Sequence, residues 1–295
     1  MKTIGKTIKE IREMKGIKTT EMRDISRSTL HTIENGNSVP SLENLHIILK
    51  NLAISEKEFF FRLNNFQLSE QEALIQEFRQ INQSSETDKI IHLQEKYLRY
   101  LQKKPNDKTI QSFLLLLKTY QEIQRKNTFL IKSRESNLLY DELLLRASKG
   151  NWTFLETYLA SRIFYCFPPE KAKTLIHHIQ DSLLRYSELN NEKRFHCAFL
   201  LNCGHYFFEL KLYEEAKEML SNAQNYSKIY QEASAFLGSS FVLLQIDYIQ
   251  QPENRTNIDT KIQTLTNTAK LLEYNGLALN MESDFNQLKN ETIPN

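Results

Sequence analysis

Glycine and proline are scarce in this chain, with seven and six respectively in 295 residues. Few helix breakers over such a length favour long helices over strand-and-turn architectures. The six prolines, Pro40, Pro105, Pro168, Pro169, Pro252 and Pro294, are spaced so that each can sit between helices. No two glycines lie within ten residues of each other, which excludes the glycine-rich loops that cradle nucleotide phosphates. The Gly-x-Ser-x-Gly elbow of esterases is missing too. Three cysteines, Cys166, Cys197 and Cys203, are too few for a disulfide framework and point to a reducing, cytoplasmic setting. The longest apolar run, Phe113 to Leu117, falls far short of the roughly 18 residues of a membrane span, and MKTIGKTIKE lacks the apolar core of a signal peptide. Net charge is only +2. The excess is local: residues 1–65 hold eleven Lys+Arg against eight Asp+Glu, the rest 27 against 28. A mild basic bias permits phosphate contact without demanding it.

What remains is helical periodicity that hardly stops. After residue 65 it predicts helices near 69–83, 86–103, 108–126, 128–148, 152–166, 169–188, 191–210, 213–229, 232–250, 257–275 and 277–290. Ser55-x-x-Glu58 and Ser69-x-x-Glu72 are capping boxes, in which a serine and a carboxylate three residues on satisfy each other's end of a helix. Between them Asn64 to Leu68 forms a short connector. Length and this junction predict two domains, 1–65 and 66–295.

The stretch Thr19 to Pro40 is the centre of the first. Ser26 is placed as an N-cap whose helix end seats a backbone phosphate. Arg27, Ser28 and Thr32 share the outer face of the short helix that follows, and Leu30 and Ile33 point inward. Asn35-Gly36 stops that helix, and Ser41 caps another carrying Leu42, Leu45, Ile48, Leu49 and Leu52. Arg27 can take guanine O6 and N7 together, which makes it the candidate for base readout.

Far downstream, LLNCGHYFFELKLYEEAKEMLSNA places Gly204, Phe207, Tyr213, Ala216, Leu220 and Ala223 at tetratricopeptide spacing, and 34 residues on from Gly204 stands Gly238, followed by Phe241. Small residues let the two helices of a hairpin approach closely. Stacked hairpins line one concave side with the first helix of each pair, here Asn202, His205, Phe208 and Glu209. An Asn amide both donates and accepts, so Asn202 can hold an extended peptide backbone; a solvent-exposed or capping Asn is the plainer reading. Degenerate earlier hairpins leave an irregular bundle as the alternative architecture. Cys197, Cys203, His196 and His205 do not make a zinc site, since helix positions six apart differ by about 240° in direction and about 9 Å in rise. Neither do the adjacent His177 and His178. Carboxylates mostly pair with Lys or Arg at helical spacing, as in EEAKE, a solvated face rather than an acid–base pair. No metal, cofactor or catalytic site can be assembled.

The run ISRSTLHTIENGNSVPSLENLHIILKNLAIS, with Ser26-x-x-x-Leu30-x-x-Ile33-Glu34-x-Gly36, Pro40 and a Leu-rich helix, resembles the end of the phage-repressor and Cro type of helix-turn-helix. KTIKEIREMKGIK resembles its first helix, and that family pairs an arginine at the position of Arg12 with the glutamate at Glu34. Helix two and its turn are about three residues shorter than the repressor pattern, and the usual Gln is replaced by Thr19 or Thr20. With the tetratricopeptide-like part added, the chain resembles the Rgg and PlcR type of peptide-pheromone-responsive transcription regulators of Gram-positive bacteria. The resemblance implies an all-α fold: a five-helix repressor-like domain, then a right-handed superhelix of tetratricopeptide-like hairpins that binds a short signalling peptide and dimerises. It implies no enzyme, but a cytoplasmic homodimer acting on double-stranded operator DNA, with no membrane partner. Candidate DNA contacts are Lys18, Thr19 and Arg23 before the recognition helix, and Ser26, Arg27, Ser28, Thr29, Thr32 and Asn35 on it. Candidate peptide contacts are Arg162, Asn202, His205, Phe208 and Ser239. A ligand-independent dimeric regulator stays open, as does a helical-repeat adaptor with a degenerate DNA-binding domain.

Overall fold

The computed structural model describes residues 3–81, 87–126, 128, 130, 133–187 and 193–292. Among them the chain forms fifteen α-helices, two short 3-10 turns and no strand. It divides into two compact units, Met1–Asn106 and Asp107–Asn295. No helix among the described residues is long and apolar enough to cross a membrane.

The first unit opens with α1 (Ile4–Met14), α2 (Arg27–Glu34), α3 (Leu42–Asn51) and α4 (Glu56–Leu63). Each starts on a hydroxyl cap: Thr3, Ser26, Ser41 and Ser55 accept from the amides of Lys6, Thr29, Asn44 and Glu58. Their apolar stripes meet in one core that includes Ile8, Leu30, Ile33, Ile48, Leu49, Leu52 and Phe59. Gly5 is indispensable to it. A β-carbon there would lie 1.8 Å from the Ile33 carbonyl oxygen, so α1 crosses the end of α2 backbone against backbone.

The five helices expected in residues 1–65 are four. Residues 15–26 contain no helix: Gly16 (φ +67°) ends α1, a turn follows in which the Glu21 amide donates to the Lys18 carbonyl, and Asp24 sits at φ 62°. Two side chains hold this path in place of the missing helix. Asn51 clasps the backbone of Arg23, accepting from its amide at 2.7 Å and donating to its carbonyl at 2.9 Å. Met22 is buried in the core beside Leu30 and Ile48. The path contributes one buried side chain to the core, that of Met22.

Ser55 caps α4, but the Glu58 carboxylate binds Arg62 at 2.9 Å, leaving a one-sided cap. Ser69, by contrast, makes the full reciprocal box with Glu72 at the start of α5 (Glu70–Arg79). α5 pairs with α6 (Thr87–Lys103), tied by the Tyr97 hydroxyl to the Leu74 carbonyl and by Lys96 to Glu77.

The second unit pairs its helices in sequence: α7 (Lys108–Lys126) with α8 (Arg134–Lys149), α9 (Phe154–Ser161) with α10 (Pro169–Arg185), α11 (Lys193–Glu209) with α12 (Tyr213–Tyr230), and α13 (Ala233–Gln250) with α14 (Arg255–Leu271), before α15 (Asn275–Thr292). The helix expected at 128–148 starts at Arg134 on the Ser133 cap; residues 127, 129, 131 and 132 lie outside the described set, as do 86, 188, 191 and 192 at other expected ends. The one expected at 152–166 is α9 followed by a 3-10 turn, Phe164–Cys166, before the Pro168-Pro169 pair. The repeat signal has its physical cause in two close approaches. A β-carbon on Gly204 would lie 2.4 Å from the Leu220 side chain in the same hairpin, and one on Gly238 would lie 2.9 Å from Leu201 in the preceding hairpin. Ala216, Leu220 and Ala223 are fully buried. Alternate helices α11, α13 and α15 pack side by side.

Candidate nucleic-acid interface and peptide groove

The α2 helix is held from beneath by a buried ion pair. The Arg12 guanidinium donates from Nε to Glu34 Oε1 at 2.6 Å and from Nη2 to Oε2 at 2.8 Å, while Nη1 donates to the Ile17 carbonyl at 2.9 Å. A bidentate fork of this kind fixes orientation as well as position. The Glu34 hydrogen bond holds the Arg12 pKa above its ordinary value against the opposing effect of burial. At the C-terminal end, Gly36 (φ +75°) and the bond from the Asn37 amide to the Thr32 carbonyl close α2 as the sequence anticipates.

The candidate DNA contacts then separate into two groups. Ser26, Thr29 and Thr32 are occupied locally: Ser26 caps the Thr29 amide at 3.0 Å and meets its hydroxyl at 2.8 Å, and Thr32 donates to the Ser28 carbonyl. Arg27 and Ser28 are exposed, and neither side chain has a hydrogen-bond or ion-pair partner among the described residues. His31, which sequence reasoning passed over, is exposed one turn beyond Arg27 and meets the Asn35 amide at 3.1 Å. The i, i+4 spacing of Arg27, His31 and Asn35 was the signal that could have found it. Upstream, Lys18 and Arg23 are exposed and Thr19 is half-buried, all on the non-helical path. The Lys18 amide donates to Glu21 at 2.6 Å, so it is not an open phosphate seat.

In the second unit Arg162 ends α9 among tyrosines. Its Nη2 donates to the Tyr158 hydroxyl at 3.2 Å, its guanidinium carbon lies 5.2 Å from the Tyr158 ring centre, and its Nε is buried with no partner. Burial works to lower its pKa, but the Tyr158 and Tyr120 hydroxyls outweigh it and the net shift is upward. Burial raises the Tyr120 and Tyr165 hydroxyls, so they are neutral near pH 7. Among the described residues no carboxylate pairs with this guanidinium, so the site has room electrostatically for an anion. Asn202 is exposed on α11 and its side-chain amide has no hydrogen-bond partner among the described residues. His205 and Phe208 line a cavity of about 230 Å3 between α11, α13 and α15; burial lowers the His205 pKa, which keeps the ring neutral. Ser239 does not belong with them. It is fully buried and donates to the Ala235 carbonyl at 2.8 Å and the Phe236 carbonyl at 3.1 Å, a helix-internal use that leaves nothing for a ligand. Sequence reasoning also missed Tyr120, Tyr158 and Tyr165, because only tertiary packing places α7 and α9 around one guanidinium.

Fold and sites together describe an all-helical protein in which a small repressor-like domain precedes stacked helical hairpins. No described protein family and no curated protein matches the chain. Solved structures do. A protein described as a transcriptional regulator from Listeria monocytogenes aligns over 99% of both chains at 20% identity and a TM-score of 0.77. The SHP pheromone receptor Rgg2 of Streptococcus dysgalactiae aligns over 96% of this chain and 99% of its own, at 16% identity and TM-score 0.70. PlcR of Bacillus thuringiensis, solved with the peptide PapR7 and DNA, aligns over 98% and 99% at 17% and 0.63. At these identities the likeness establishes that the chain has the fold of this class of regulators along nearly its whole length.

Proposed function

We propose that the protein is a sequence-specific DNA-binding transcription regulator controlled by a short signalling peptide, with residues 1–65 reading DNA and residues 66–295 binding peptide and dimerising. The observation that carries the reading is α2 itself: a helix whose outer face exposes Arg27, Ser28 and His31 and whose inner end is locked by the Arg12–Glu34 fork. One eight-residue helix reads too few base pairs for useful specificity, so a homodimer on two half-sites about one turn apart is the working form. Arg162 is the anchor for a peptide carboxylate, and Asn202 for its backbone. The relatives in fold, one solved with peptide and DNA, support this assignment, and a cytoplasmic setting fits both ligands.

The test is binding of the purified chain to its own upstream intergenic DNA, with and without synthetic short peptides encoded in neighbouring small reading frames. Salt-sensitive binding altered by one peptide supports the reading. Binding that no peptide alters leaves a ligand-independent regulator. The missing second helix favours a specific competitor, a helical-repeat adaptor that has left DNA behind, and no duplex binding at low salt would establish it over the regulator.

A further inference from the structure

The cavity between α11, α13 and α15 has a chemistry of its own. Its walls carry three carboxylates, Glu209, Asp284 and Glu291, against a single lysine, Lys211, and His205 is neutral; three negative charges less one positive leave an excess of two. Among the described residues neither Glu209 nor Asp284 has a cation within ion-pair distance. Glu291 accepts from Gln287 at 2.9 Å. Clustered carboxylates alone would describe only a solvated surface, but two further features point to a ligand. Gln245, on α13, is 95% buried, lines this cavity and makes no side-chain hydrogen bond among the described residues. Its amide atoms still open onto the cavity, so a ligand there can complete their hydrogen bonding. In addition Phe208 and Tyr213 form an aromatic wall, ring centres 6.1 Å apart and inclined by 53°. Carboxylates, an amide oxygen and π faces all attract one kind of group.

We propose that this cavity is a subsite for one cationic group of the ligand, an ammonium or a guanidinium, held by Glu209 and Asp284, capped by the Gln245 amide oxygen and lying against Phe208 and Tyr213. A volume of about 230 Å3 is ample for one such side-chain head or a peptide's free amino terminus. The inference rests on the peptide reading and makes it more specific: the peptide carries a positive charge at one defined position, in addition to the carboxylate that Arg162 receives.

The test uses the full-length protein and fluorescent heptapeptides that place arginine, lysine, citrulline or norleucine at each position in turn, with the amino terminus free or acetylated. Affinities are read by fluorescence polarisation on wild type, Glu209→Gln/Asp284→Asn and Gln245→Leu, alongside N-acetyl-arginine methylamide as a small probe followed by NMR. Arginine or lysine at one position, or a free terminus, should bind about tenfold tighter than its uncharged counterpart, and both variants should erase the advantage. The position-specific arms separate side chain from terminus. If peptides bind but charge gives no advantage at any position, the subsite is wrong and the peptide reading survives. If no peptide binds while N-acetyl-arginine methylamide binds wild type and not the double variant, the subsite stands and the peptide reading falls. Binding of no probe overturns both.

Discussion

Replacing Glu34 by Gln tests the foundation on which α2 rests. In the native protein the Arg12 and Glu34 side chains are 10% and 5% exposed, so solvent screening does little to weaken the pair. Glutamine can still accept from Arg12 Nε, but its NH2 then faces the Nη2 donor, one of the two bonds of the fork is lost and the buried cation keeps only the exposed Glu13 carboxylate, 3.8 Å from Nη2, as a counter-charge. Removing one partner of a buried pair costs about 3–5 kcal/mol; with one hydrogen bond kept and the Ile17 carbonyl still engaged, about 3 kcal/mol is the working figure. At tenfold per 1.4 kcal/mol, this corresponds to amide hydrogen exchange roughly 100-fold faster across α1 and α2. Leu30 and Ile33 report on it, and Leu200 and Ile246 in the other unit should not change. The apolar double substitution Arg12→Met/Glu34→Leu should recover most of the loss, ending within about 1–2 kcal/mol of wild type, because it removes both desolvated charges at once. Exchange accelerated less than about fivefold in Glu34→Gln, or a double variant no better than the single, would refute the claim that this fork holds the domain together.

The other expectations are simpler. Gly5→Ala drives a β-carbon into the Ile33 carbonyl and should cost at least about 1–3 kcal/mol in chemical denaturation of the first unit; an unchanged midpoint would mean that α1 is free to shift. Asn51→Ala removes both bonds to the Arg23 backbone and should cost about 1–3 kcal/mol, with protease sensitivity appearing between residues 18 and 25; a resistant variant would contradict the clasp. Arg27→Ala should lose about 1–3 kcal/mol of preference at one base position, and an unaltered footprint would sink its assignment. Burial raises the Glu209 and Asp284 carboxyls, Glu209 also by the nearby Asp284 and Glu291, so their folded forms hold protons to higher pH than the unfolded chain. Their contribution to stability is therefore present below the ordinary carboxylate range and lost as pH rises through it. Glu209→Gln/Asp284→Asn should raise the thermal midpoint near pH 7 and bring no gain near pH 4; a pH-independent effect would speak against desolvated carboxylates.

Local chemistry was sufficient wherever one residue answers to its near neighbours in the chain. Ser26, Ser41 and Ser69 cap helices because a hydroxyl needs only the amides two or three residues ahead, and Gly36 stops α2 because only its own φ matters. The helices from 108 to 126 and from 213 to 230 emerge from periodicity, and the Gly204 and Gly238 spacing from the close approach of paired helices. The Arg12–Glu34 fork was legible only because a whole family shares the pattern; spacing by itself says nothing about residues 22 apart. Tertiary structure decided the rest. Residues 15–26 run without a helix, with Met22 in the same buried core as Leu30 and Ile48 and Asn51 of α3 holding the Arg23 backbone, neither of which a local pattern reveals. Ser239 looks like any exposed helical serine in the sequence, and its burial comes from the neighbours of α13. The company of Arg162, and the meeting of Glu209, Gln245 and Asp284 from three helices, were fixed by how hairpins stack. Sequence determines what each helix is because backbone hydrogen bonds and caps act within a turn. Only packing decides which side chains from distant helices share one dielectric environment, and there the candidate ligand chemistry resides.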